Sequence, residues 1–176
     1  MKRLTISFSI LILTFIWIYH TAATEFNPPI NPIIGDISYV IKFGSSPTAE
    51  TDRNLRIKTH LEYAEKLLRN TKEIVFTGEK RHKRIAVLNF LHQYHTTGNY
   101  MNFNYQNINN GSFLRDENRN LSALGFLVEK TSGKHTVDKI IHEVRTSKDT
   151  RLSSTLTQWL ANSGLTKEEA AIIQPH

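Results

Sequence analysis

The chain contains no cysteine. That absence excludes disulfides, a thiol nucleophile and thiolate metal ligands, so outside a cell the protein would be held together by packing alone. Beyond the amino-terminal stretch there is no long apolar run, so no second segment offers the roughly 20 apolar residues a membrane-crossing helix needs. A Gly-rich phosphate loop, an HExxH pair and internal repeats are all missing, and no cofactor is expected. The formal charge of +6 includes Lys2 and Arg3. Without those two residues it suits solubility and weak attraction to anionic surfaces, and carries no signature of specific nucleic-acid binding.

What is present begins with "MKRLTISFSILILTFIWIYHTAATEF". Lys2 and Arg3 form a basic head, and from Leu4 to Tyr19 no charge interrupts an apolar, Ser and Thr run. Small residues then precede a cut after Ala23. This is the layout of a secretory signal peptide, residues 1–23. The run is short for a membrane span, although an uncleaved anchor is the alternative. Cleavage leaves roughly 150 residues, which suits one exported domain, periplasmic or extracellular, with no membrane attachment of its own.

Residues 24–48 hold four of the five prolines. Pro28, Pro29 and Pro32 forbid regular helix there, so the segment reads as an extended arm whose apolar half, Ile33 to Phe43, packs back on the domain. Residues 49–176 read as a mainly α domain of five or six helices. The first runs from a Thr48 cap to Asn70, with Ile57, Leu61, Ala64 and Leu68 as its buried stripe. A second runs from Lys80 to Thr97 and stops at Gly98. Residues 99–120 are polar and rich in Asn, and "NNG" suggests a hairpin bend. A third helix spans Leu121 to Thr131. The fourth carries Val137, Ile140, Ile141 and Val144 on one face, and the fifth carries Leu152, Leu156, Trp159 and Leu160. Thr166 and Glu169 make a capping box for the last, with Leu165 and Ala170 as its hydrophobic staple.

Chemistry-bearing residues are scattered along this frame. "NLSALG" places Ser122 among small residues, with Lys130 and His135 downstream. It lacks the first Gly and the preceding strand of a nucleophile elbow, and reads as a helix start. His92 and His95 are three apart on one helix and can turn toward the same metal ion, but two ligands do not make a site. His135, Asp138 and His142 read as a solvated face. His60 falls within the apolar stripe of the first helix and, once buried, needs hydrogen-bond partners. Asp116 and Asp36 are its candidate carboxylate partners. The "EKRHKR" run supplies Lys80, Arg81, Lys83 and Arg84, an exposed basic helix end suited to an anionic envelope polymer.

Four segments add a resemblance: "TDRNLRIKTHLEYAEKLLR", "RIAVLNFLHQYHTTGNYMNFN", "FLRDENRNLSALGFLVEKTSG" and "LTQWLANSGLTKEEAAIIQPH". Together they resemble an uncharacterised family of exported bacterial proteins found in Bacteroidetes and other Gram-negative groups. The resemblance implies architecture and export, and no established activity. Members typically read Phe-x-Asp-x-x-Gly-x-x-Cys-Ala-Val-Gly where this chain reads "LRDENRNLSALG". Asp116 matches the Asp, Arg119 replaces the Gly, and Ser122 stands where the Cys usually is. A Cys-to-Ser exchange preserves size, which favours a packing role over a nucleophile.

The sequence therefore implies an exported, mainly helical domain that acts by binding an envelope polymer or a protein partner. His60, Arg56 and Arg69 are expected to share a polar network with Asp116, with Glu65 as the alternative acid. The competing reading is a hydrolase of envelope material, with His60 as base and Asp116 or Asp36 assisting. It requires those groups to converge in an open cleft.

Overall fold

The computed structural model describes residues 28–71, 78–102, 113–147 and 153–174. The signal segment, residues 103–112 of the polar insertion with its "NNG" bend, and Leu152 lie outside them. The chain divides into two compact units. One comprises Met1–Pro28 and Thr48–Glu50. The other comprises Pro29–Pro47 and Thr51–His176, and it contains seven helices among the described residues: α1 (Ile37–Phe43), α2 (Arg53–Asn70), α3 (Gly78–Thr97), α4 (Ala123–Ser132), α5 (Lys134–Thr146), α6 (Ser154–Ser163) and α7 (Lys167–Ile173). No described helix is long and apolar enough to cross a membrane.

The apolar periodicity translates directly into burial. Ile57, Leu61, Ala64 and Leu68 of α2 are all buried, as are Val137, Ile140, Ile141 and Val144 of α5. They join Val87, Leu88, Leu91 and Tyr94 of α3, Leu124, Leu127 and Val128 of α4, and Ile173 of α7 in a common core. Each fully buried Leu or Ile contributes about 1.5–3 kcal/mol relative to an exposed one. In a chain without disulfides, this core carries the stability.

Local chemistry sets the helix ends, with two departures from expectation. Asp52, not Thr48, caps α2: its side chain accepts the Leu55 amide hydrogen at 2.7 Å. Asp is the stronger cap of the two. Residues Ile37–Phe43 of the expected extended arm are helical. Pro28, Pro29 and Pro32 all precede this turn of helix and restrict only the backbone before it. The apolar half does not pack back as expected: Ile33, Ile37, Val40, Ile41 and Phe43 are exposed, because this helix turns only Ser38 inward, and the arm is tied down ahead of it instead. Asn31, fully buried, donates from Nδ2 to the carbonyls of Ala171, Ile172 and Gln174, and so satisfies the end of α7.

Ser122 settles the "SALG" question as helix. It is buried and caps α4, its Oγ accepting the Gly125 amide hydrogen at 3.1 Å. A single antiparallel bridge joins Arg115 and Leu121. Between them Arg119 adopts φ +66, a backbone conformation that glycine takes without strain. Gly125 is required for packing, because a β-carbon there would collide with the Leu114 carbonyl oxygen.

Arg84 ties the far end together. It is buried, and its guanidinium donates to both Glu169 oxygens at 2.7 Å, to the Leu68 carbonyl at 2.7 Å and to the Gly164 carbonyl at 3.0 Å. Glu169 also completes the capping box of α7 with Thr166. Gly164, at φ +78, has no room for a β-carbon beside the Lys80 carbonyl.

Candidate functional site

Helices α2 and α3 run antiparallel: Arg69 reaches Asn89 near one end, and Glu65 reaches His92 and His95 one turn away. Glu65 borders the buried stripe of α2 and retains 11% side-chain exposure. From α3, a three-residue spacing brings two imidazoles onto the same side of the helix. His95 points inward at 5% side-chain exposure, and His92 lies outward at 60%.

One carboxylate oxygen is the centre of this arrangement. Glu65 Oε2 stands 2.6 Å from His95 Nε2 and 3.0 Å from His92 Nδ1. Its other oxygen accepts from Arg69 Nε at 2.7 Å, and Arg69 Nη2 donates to Asn89 Oδ1 at 3.0 Å. The two rings meet edge to face with centroids 4.9 Å apart. Burial alone would raise the Glu65 carboxyl. Hydrogen bonds from His95, Arg69 and His92, together with the Arg69 charge, outweigh it and hold the group below the ordinary carboxylate value. An ionised carboxylate only accepts, so His92 Nδ1 and His95 Nε2 are both N–H donors here. His95 Nδ1 is buried with no hydrogen-bond partner among the described residues. One ligand atom from each of Glu65, His92 and His95 lies within 4.8 Å of the others, and among the described residues these three form the group able to surround a metal ion.

The other candidates occupy different places. His60 is fully buried, and its Nε2 donates to the Ile172 carbonyl at 2.7 Å. Asp36 accepts from Arg56 Nη2 on both oxygens at 2.9 Å. Asp116 accepts the backbone N–H of Asn102 and both the backbone and side-chain N–H of Asn120. The expected network centred on Asp116 is thus divided: Arg56 takes Asp36, Arg69 takes Glu65, and Asp116 organises its own loop. Lys80, Arg81 and Lys83 are exposed, with Lys83 paired to Glu79. Arg84, grouped with them from sequence, faces the interior instead, because the helix turn that exposes its neighbours carries it to the α7 side. His135 and His142 are exposed, and the Asp138 between them bridges to Arg115.

Sequence reasoning identified His92 and His95 but did not join Glu65 to them. The usable signal was a carboxylate flanking a buried stripe, which has to find donors. Which donors depends on the register of α2 against α3.

No family model, curated protein or solved structure matches the chain.

Proposed function

We propose that this chain is an exported helical binding domain, and that its ligand docks where α2 and α3 present Glu65, Arg69, His92 and His95. Export rests on the basic head and apolar run that precede Ala23. The observation that carries the binding reading is the shared Glu65 carboxylate, charged and multiply bonded, beside an imidazole that is mostly open to solvent. Polar groups converging from two packed helices at an accessible edge are what a charged ligand requires.

The hydrolase reading has less support. Its base, His60, is fully buried on a backbone carbonyl, and Asp36 and Asp116 are held by Arg56 and by the Asn120 loop. A general base has to reach a substrate proton in an open pocket.

A thermal-shift panel of metal ions, oxyanions and anionic glycans, run on the wild type and on Glu65→Gln, tests the reading. At least one charged ligand should raise the melting temperature of the wild type and leave the variant unmoved. Turnover of envelope material that disappears in His60→Gln would reverse the assignment.

A further inference from the structure

We infer that the Glu65–His92–His95 cluster is a binding site for a divalent transition-metal ion of the zinc class, with one coordination position open to solvent. The inference rests on reading this edge as the ligand-binding surface, and it names the ligand.

The donor set points to that class of metal. Two imidazole nitrogens and one carboxylate oxygen match the nitrogen and oxygen ligands of zinc, and suit magnesium and calcium poorly because those ions prefer all-oxygen shells. Three protein ligands leave a fourth tetrahedral position, and the 60% exposed His92 marks the side on which water or an external ligand enters.

The geometry needs only side-chain adjustment. Tetrahedral zinc, with bonds of about 2.0–2.2 Å, separates its ligand atoms by about 3.3 Å. Here the two nitrogens stand 2.6 and 3.0 Å from Glu65 Oε2, and all three atoms lie within 4.8 Å. The carboxylate oxygen must draw back from His95 Nε2 by about 0.7 Å and from His92 Nδ1 by about 0.3 Å, while the solvent-facing His92 ring swings toward His95. Helix backbones need not move.

Proton bookkeeping is also favourable. The metal replaces the hydrogens that His92 Nδ1 and His95 Nε2 now direct at the carboxylate, and binding releases protons or shifts tautomers accordingly. His95 Nδ1 already lacks a partner among the described residues, so exchanging its lone pair for N–H leaves one unsatisfied hydrogen-bonding atom in either state. Arg69 Nε on the other Glu65 oxygen orients the carboxylate as an outer partner.

The experiment is isothermal titration of zinc into chelator-stripped protein, purified after expression of the full chain, beside His92→Ala. His92 is exposed, so its removal spares the fold. One ion per chain should bind the wild type. His92→Ala should lose about tenfold or more in affinity, at least the loss that an outer partner causes. Zinc binding that His92→Ala leaves unchanged would overturn the site, and so would no zinc binding at all. If zinc fails to bind while another ligand still depends on Glu65, this inference alone falls and the binding-domain reading stands.

Discussion

Arg84 and Glu169 face each other as a buried ion pair with two hydrogen bonds, each 2.7 Å long, although 85 residues separate them in the chain. The same guanidinium satisfies carbonyls at the end of α2 and at the Gly164 turn. One side chain thereby fixes three segments around α7. Breaking a buried pair by removing one partner leaves an uncompensated charge, which costs about 3–5 kcal/mol. Arg84→Ala should therefore lower Tm on the order of 10 °C in a chain of this size. Calorimetry checks it: an unchanged Tm would mean that the guanidinium is not a tie, and that Arg84 belongs with the exposed cations of the "EKRHKR" run.

Two glycines make a controlled pair. At Gly125 an added methyl meets the Leu114 backbone, whereas at Gly78, the first residue of α3, nothing described lies within 4 Å. Gly125→Ala should destabilise by about 1–3 kcal/mol through overpacking. Gly78→Ala should be neutral or stabilising by up to about 1 kcal/mol, because Ala is the better helix former. Urea midpoints of the two variants should move in opposite directions or differ clearly in size. Equal shifts would contradict the close approach of α4 to the Leu114 segment.

Glu143 joins α5 to α6. Hydrogen bonds from the Thr155 hydroxyl, the Ser153 hydroxyl and the Thr155 amide bring its carboxyl down from 4.5 to about 2. A group lowered on folding stabilises the fold fully above its unfolded value. That contribution shrinks as pH falls from about 4.5 toward 2, because the unfolded chain takes up the proton first. Glu143→Gln should be less stable than the wild type at neutral pH, and the gap should narrow through that acid window. A gap independent of pH would rule out the charged acceptor as its cause.

Much of this fold was legible from spacing. The Ile57–Leu68 stripe, the Val137–Val144 face and the Thr166/Glu169 box depend on neighbours within two helical turns, and all formed as read. Ser122 was legible for the same reason, since a cap is defined by the amide three residues on. What spacing could not supply were pairings across the chain. Arg84 sits in a basic run and only the position of α7 shows that it is buried. Asp36 and Asp116 are both carboxylates with ordinary surroundings in sequence, and tertiary placement gave Arg56 to the first and the Asn120 loop to the second. The helix Ile37–Phe43 was obscured by prolines whose reach ends before Asp36. Glu65 was visible as an acid beside the stripe, but not as the acid shared by His92 and His95.

Anomalous diffraction at the zinc edge, from crystals of the protein grown with zinc, tests the central claim most directly. The account predicts one strong peak within bonding distance, about 2.0–2.2 Å, of a Glu65 oxygen, His92 Nδ1 and His95 Nε2. Density absent there, or confined to other histidines such as His135 and His142, would contradict it.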